Sequence, residues 1–347
     1  MDKKKNRILW SIAALLIAAL SFWAVSSQAK DFTLSQLFEY VRTANPFWIG
    51  AALLCMLLFI GLEAVAIRII IDGFGYKRSY RQTLLYSASD IYFSAITPSA
   101  TGGQPICAYF MIKDGIPVGT VTISLIVNLV LYSLSTMIAG VIAIIIRPTV
   151  FFNFNIVSRV LIVAGCLIFG GLAFLFIMLI RRGDIVHKFG NGCIRFLSKL
   201  HIIKRREHYE EKLVHIMEEY TECAHIIKDK QSVIVRAFLC NFFQRLAQMV
   251  VPAMVFLGKG GDIAGALDVW VSHVLVTIGA GFVPIPGAMG VIDYMLLDGF
   301  GSLMCEEEAI NLELVSRSIS FYSCLILCAV IAVLGFIKYG RRKEEVK

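Results

Sequence analysis

The sequence predicts an all-α polytopic membrane protein with about six full spans and two re-entrant broken helices, consistent with an inverted repeat. Three observations carry this. Hydrophobic residues make up 58% of the 347 and charged residues 17%, where a soluble domain carries about 25% charged. Six apolar runs each reach the ~20 residues that a hydrocarbon core of roughly 30 Å requires. Lysine and arginine gather in alternate connecting segments, as the positive-inside rule expects.

The six runs are 8–27, 46–71, 118–146, 157–180, 234–257 and 315–337. The first follows a basic start, Met1 to Arg7, which a signal peptide would share. It is long enough to cross a bilayer, and the small-residue pattern from Val25 to Ala29 is a weak cleavage site. It reads as an uncleaved first helix.

Two more segments, 83–112 and 268–300, are apolar but interrupted. The first breaks at Thr97, Pro98, Ser99, Ala100, Thr101, Gly102, Gly103, Gln104 and Pro105. The second breaks at Pro284, Ile285, Pro286, Gly287, Ala288, Met289 and Gly290. Proline removes a backbone donor and clashes with the preceding turn, and glycine adds backbone freedom. Arms of about 13–15 residues are only ~20 Å long, too short to span. Unpaired backbone groups at membrane depth are tolerated only inside protein or beside water. Each segment therefore reads as a re-entrant pair of half-helices, with a full kinked span or a pair of spans as the competing topology.

With both segments re-entrant, the cytoplasmic stretches are 1–7, 72–82, 111–117, 181–233 and 338–347. They hold 24 of the 33 Lys and Arg residues. This places a multi-pass chain in the cytoplasmic membrane with both termini inside. The first broken segment then enters from the cytoplasm and the second from outside, which in secondary transporters points to a site near the midplane.

The net charge of +8 does not imply nucleic acid, because the basic residues flank apolar runs and suit an anionic leaflet. The nine cysteines form no CxxC pair. Cys324 and Cys328 share one helix face as small apolar residues. The polar stretch 181–233 carries an amphipathic pattern, including Tyr209, Leu213, Ile216, Met217 and Tyr220, and reads as a helix on the membrane surface or under the bundle. Its His201, His208 and His215 are two turns, roughly 10.5 Å, apart, too far for neighbouring ligands of one metal. No GxSxG, Walker A, HExxH or GxGxxG motif stands in a supporting context. No catalytic residue, metal or cofactor is expected.

What remains is a set of ionisable and polar residues at membrane depth, where their cost makes them functional candidates. Glu63 and Arg68 either pair, or Arg68 snorkels to the interface. Asp90 lies on the first arm with Ser87, Ser89 and Ser94 nearby. The Thr97–Pro105 loop offers hydroxyls, the Gln104 amide and backbone N–H groups, and a half-helix starting at Pro105 would present a partial positive charge. Asn241, Gln244, Arg245 and Gln248 form one stripe, with Arg245 mid-helix. Asp293 begins the second arm of the second broken segment. Arg317, near the outer end of the last span, is either an interfacial anchor or part of the site. Guanidinium groups suit a phosphate and carboxylates suit an ammonium. A zwitterionic or aminoacylated phospholipid head group carries both.

The stretches SAITPSATGGQPICAYFMIKDGIPVG and VPIPGAMGVIDYMLL, with FFQRLAQ around Arg245 and SRSISFYSCLI around Arg317, resemble the signatures of a flippase-like membrane family. That family corresponds to the N-terminal transmembrane module of lysylphosphatidylglycerol synthase/flippase proteins. The resemblance covers about residues 8–338. It implies movement of aminoacylated phosphatidylglycerol, or a related lipid, between leaflets, a role tied to antimicrobial peptide resistance. Bifunctional members add a C-terminal soluble synthase domain. This chain stops ten residues past its last span, so that domain is expected to be absent. Family members often carry Glu where this chain has Asp293.

The expectation is thus a phospholipid translocase acting on anionic or aminoacylated lipids. Six spans and two re-entrant helices would meet at a central cavity. Arg245 and the loop residues Thr97, Ser99, Thr101, Gly102, Gly103 and Gln104, with Gln244 and Arg317, would hold the head group. Glu63, Asp90 and Asp293 would contact amines or line the path. The breaks fall at Pro98, Pro105, Pro284, Pro286, Gly287 and Gly290. One alternative is a non-transporting scaffold or regulator that presents 181–233. Another is a lipid-modifying enzyme of the phosphatidylglycerol lysyltransferase type, for which no nucleophile or donor site is found. No ATP site is present, so an ion gradient or the lipid gradient would supply energy, and a proton role for Asp90 or Glu63 stays open. Homo-oligomerisation also stays open, because lipid-facing and partner-facing apolar surfaces look alike.

Overall fold

The computed structural model describes residues 34–97, 101–181, 211, 213–214, 216–219, 221–222, 226 and 230–345. The expected first span 8–27, Pro98, Ser99, His201, His208, His215 and most of 181–233 lie outside them. All regular structure among the described residues is helical.

A short helix α1 (Leu34–Thr43) leads into the long helix α2 (Pro46–Gly73). Asn45 caps α2 by accepting from the Phe47 N–H at 3.0 Å, and Pro46 occupies the first turn, where a missing N–H costs nothing. Lys259 Nζ donates to Thr43 Oγ1 and sits 4.5 Å over the Tyr40 ring. Burial, and after it nearby Glu308, pushes the Tyr40 phenol up, so it stays neutral.

Among the described residues, six helical stretches are long and apolar enough to cross a membrane: Pro46–Gly73, Val118–Ile146, Ile156–Leu175, Gln231–Gly258, Ile263–Ala280 and Glu306–Ile337. Five coincide with expected runs. The other, Ile263–Ala280, is the first arm of the second broken segment. It begins five residues before position 268 because Asp262 accepts from the Gly265 N–H and caps it there. Its 18 residues reach ~27 Å, more than a half-helix needs. The last stretch also starts early, at Glu306, since Glu306, Glu307 and Glu308 favour a helix N-terminus while concealing the helix from hydropathy. Pro252 bends the fourth stretch, dividing it into α8 (Gln231–Met249) and α9 (Val251–Gly258).

The broken segments fold as antiparallel hairpins. In the first, α3 (Tyr80–Ile96) returns as α4 (Gly103–Lys113). Its open end is tied where Arg78 Nη2 donates to the Asp114 carbonyl at 2.7 Å and the Tyr86 hydroxyl donates to the Asp114 carboxylate. In the second, α10 (Ile263–Ala280) returns as α11 (Val291–Gly301) through a turn at Pro286–Ala288. Gly279 meets Met295 and Gly299 meets Ser272. Gly287 and Gly290 adopt φ of +59° and +76° in that turn, a region that favours glycine. The Pro286–Ala288 turn packs on α3, so the second tip meets the first hairpin.

Helix α2 lies at the centre, against α3, α8, α9 and α5 (Val118–Ile146). Outside it, α6 (Pro148–Asn153) leads to α7 (Ile156–Arg181), which packs on α5 and α10. The chain closes with α12 (Glu306–Arg317), a π turn (Ser318–Ser323) and α13 (Cys324–Glu345). Where 211–226 is described, it packs under the bundle. Met217 is buried with Ile70, Ile123, Val127 and Leu131, and Glu219 Oε2 accepts from the Gly119 N–H at the start of α5.

Candidate functional site

Polar groups gather inside the bundle on both sides of α2. Glu63, on its inner face, accepts from Gln244 Nε2 of α8 at 3.2 Å. The Glu63 carboxyl also contacts the Ser87 hydroxyl and lies within hydrogen-bonding reach of the Asp90 carboxyl. Asp90 in turn accepts from Gln104 Nε2 at 3.0 Å and from the Ser94 hydroxyl at 3.3 Å. Glu63 and Asp90 are 7% and 5% exposed.

This decides against one open alternative and corrects one expectation. Glu63 does not pair with Arg68, whose Nε instead lies 3.6 Å from Asp72, one turn on and half-exposed. Five residues put Glu63 and Arg68 on different faces of a helix with 3.6 residues per turn. The N-terminus of α4 also already faces an anion of the protein itself. A Cβ at Gly103 would stand 2.1 Å from Asp90 Oδ1 and from Ser94 Oγ, so glycine allows the two arms to touch there. The helix starts at Gly103 rather than Pro105, with Gly102 as its cap. Thr97 is taken up by the loop itself. Its hydroxyl donates to the Phe93 carbonyl at 2.6 Å and accepts from the Gly102 N–H at 2.8 Å. Thr101, Pro105 and Pro284 are exposed.

Arg245 is 4% exposed. It donates from Nη1 to Gln248 Oε1 at 2.5 Å, and its guanidinium lies 4.4 Å over the Tyr132 ring. Beside it on α8, Asn241 Nδ2 bonds to Asn128 Oδ1 of α5 at 3.1 Å. Helical spacing revealed the stripe on α8, while its partners Tyr132 and Asn128 come from an apolar run with no pattern to single them out.

A second cluster forms at the other hairpin. Arg317 Nε lies 3.0 Å from Asp293 Oδ1 and 3.9 Å from Glu313 Oε1, with the guanidinium 5.0 Å over Phe321. Asp293 Oδ2 accepts from the Gly290 N–H at 2.9 Å, capping α11. Arg317 is 6% exposed and lies eleven residues into the continuous stretch Glu306–Ile337, with its guanidinium held against Asp293 and Glu313 inside the bundle. The early start at Glu306 moved the helix end away from it. Glu313, one turn before Arg317, went unnoticed because it precedes the apolar run.

His273 of α10 links the clusters. It is buried, its Nδ1 lies 3.0 Å from the Met249 carbonyl, and both Arg245 and Arg317 are within electrostatic reach. A lone histidine in an apolar run gave no signal in the sequence. Both guanidinium groups keep buried donors: Arg245 Nε and Arg317 Nη2 make no hydrogen bond among the described residues. A buried donor without an acceptor costs about 1–3 kcal/mol. The expected central cavity is not open. Arg245, Arg317, Glu63 and Asp90 are all buried, because packed side chains close over them. Among the described residues, no group of three or more His, Cys, Asp or Glu could hold a metal ion.

Residues 10–328 match the family model described as the lysylphosphatidylglycerol synthase TM region. A protein of Archaeoglobus fulgidus, named as a UPF0104 membrane protein, is 23% identical over 283 residues. The alignment covers 80% of this chain and 84% of that one.

Proposed function

The chain belongs to the lysylphosphatidylglycerol synthase TM region family, and from that premise we propose that this multi-pass membrane protein translocates a phospholipid between the leaflets of the cytoplasmic membrane. The substrate is an aminoacylated phosphatidylglycerol or a related anionic lipid. The observation that carries the reading is the pair of buried arginines with unsatisfied donors, Arg245 Nε and Arg317 Nη2. Both stand at membrane depth in an apolar bundle, where guanidinium is retained for a role. Arg245, with Gln244, takes the phosphate, and Arg317 receives it at the second hairpin. Gln104 and the tip of the first hairpin border the path on one side, and Asp293 borders it on the other. The closed packing corresponds to an occluded state, and access opens when the hairpin tips separate. Both termini face the cytoplasm, and the two hairpins enter from opposite faces.

The test is transbilayer movement of labelled lysyl-phosphatidylglycerol and phosphatidylglycerol in proteoliposomes, for wild type and Arg245→Ala. Movement above empty liposomes that falls in the variant supports the reading. No movement by folded wild-type protein overturns it.

A further inference from the structure

Two acidic side chains from different helices touch each other inside the bundle, and no cation pairs with either among the described residues. Glu63 comes from α2 and Asp90 from α3, and their carboxyls lie within hydrogen-bonding reach. Two carboxylates at that separation repel strongly in a low-dielectric interior, and they are stable together when one proton lies between them.

The surroundings are those of a shared proton. Gln244 and Gln104 both turn their NH2 groups to the pair, 3.2 Å from Glu63 Oε2 and 3.0 Å from Asp90 Oδ2. A dehydrated sodium ion would need oxygen ligands from these neighbours, and the amides offer donors instead. Asp90 already accepts from the Ser94 hydroxyl and the Gln104 amide, and its carboxyl lies beside Gly103 in the first turn of α4, at the positive end of the helix dipole. It is therefore the acceptor, and Glu63 carries the hydrogen. The charged or titratable groups facing the pair are Arg245 from α8, Cys324 and Cys328 from α13 and Cys107 from α4. Arg245 alone among them is a cation.

We infer that Glu63 and Asp90 form a proton-binding site, and that its occupancy is linked to anion binding at Arg245. With the proton in place, the pair carries one negative charge, and Arg245 rests on Gln248 and Tyr132 with its Nε available. Loss of the proton adds a second negative charge within electrostatic reach of Arg245 and draws the guanidinium toward Glu63. Proton binding and phosphate binding thus favour each other, and by reciprocity each raises the affinity for the other. This coupling rests on the translocase reading. The proton site itself does not.

Two measurements test it. Infrared difference spectra of the reconstituted protein, between acidic and alkaline buffer, are expected to show the C=O stretch of a protonated carboxyl. That band should disappear in both Glu63→Gln and Asp90→Asn. A band that persists in both variants overturns the site, and a band that responds to sodium at constant pH assigns the pair to sodium instead. Lipid movement in proteoliposomes is expected to accelerate several-fold under a pH gradient, and Glu63→Gln, which keeps a donor to Asp90, should move lipid without regard to the gradient. Wild-type movement indifferent to the gradient overturns the coupling and leaves the translocase standing. Absence of lipid movement with the infrared band intact overturns the translocase and leaves the proton site standing.

Discussion

Arg317 Nε lies 3.0 Å from Asp293 Oδ1, joining the long last helix to the first turn of the arm that follows PIPGAMG. Asp293 spends its other oxygen on the Gly290 N–H. The one carboxylate therefore neutralises a buried guanidinium and caps a helix. Asp293→Ala removes both and leaves Arg317 with only the more distant Glu313. Breaking a fully buried pair costs about 3–5 kcal/mol; with the Asp293 side chain 31% exposed the loss is smaller, and the variant should still show a clear fall in thermal midpoint in detergent. Asp293→Glu keeps the charge and should lose much less.

The contact between the arms of the first hairpin makes a second prediction. In Gly103→Ala the new methyl would also stand 2.4 Å from the Asp90 carbonyl oxygen, part of a helix backbone that has no rotamer to change. Overpacking of this kind costs typically 1–3 kcal/mol. Gly50→Ala, with nothing within 4 Å of its added carbon, is the control and should lose no stability, gaining up to about 1 kcal/mol from helix propensity. Unfolding midpoints of the two variants compare them directly.

At Arg245 the sensitive property is shape. Lysine keeps the charge and loses both the planar stack on Tyr132 and the Nε donor. Arg245→Lys should fold like wild type by size-exclusion profile. It should move lysyl-phosphatidylglycerol about ten-fold more slowly, equivalent to ~1.4 kcal/mol of lost stabilisation. A rate equal to wild type would mean that a point charge suffices.

Cys305 is exposed in the connection between the second hairpin and α12. In the proposed topology that connection faces outward. In a variant where Cys305 is the sole cysteine, a membrane-impermeant maleimide should label intact cells fully. A cysteine placed at Asp114, at the open end of the first hairpin, should be labelled only after the membrane is permeabilised. The reverse pattern would turn the chain over.

Much of this architecture was legible because lipid imposes simple demands. Length and apolarity marked α2, α5 and α7, and prolines with glycines marked both breaks. The helical stripe of Gln244, Arg245 and Gln248 was visible for the same reason. Boundaries were less readable where local capping overrode hydropathy. Asp262 starts α10 early, and the three glutamates from Glu306 start α12 early. Pairings were the least readable, because they depend on which faces meet. Nothing in the spacing says that Glu63 turns from Arg68 toward Asp90, or that His273 lies in reach of two arginines 28 and 44 positions away along the chain.

The π turn at Ser318–Ser323 sits directly after Arg317. Such a turn accommodates about one residue more than an α turn, which rotates all that follows by ~100° relative to an uninterrupted helix. Glu313 and Arg317, ahead of it, address the second hairpin, while Cys324, beyond it, comes within reach of Glu63 on α2. Unwinding that inserted residue would turn α13 by ~100° against α12, so Arg317 could not keep Asp293 while Cys324 keeps its place beside Glu63.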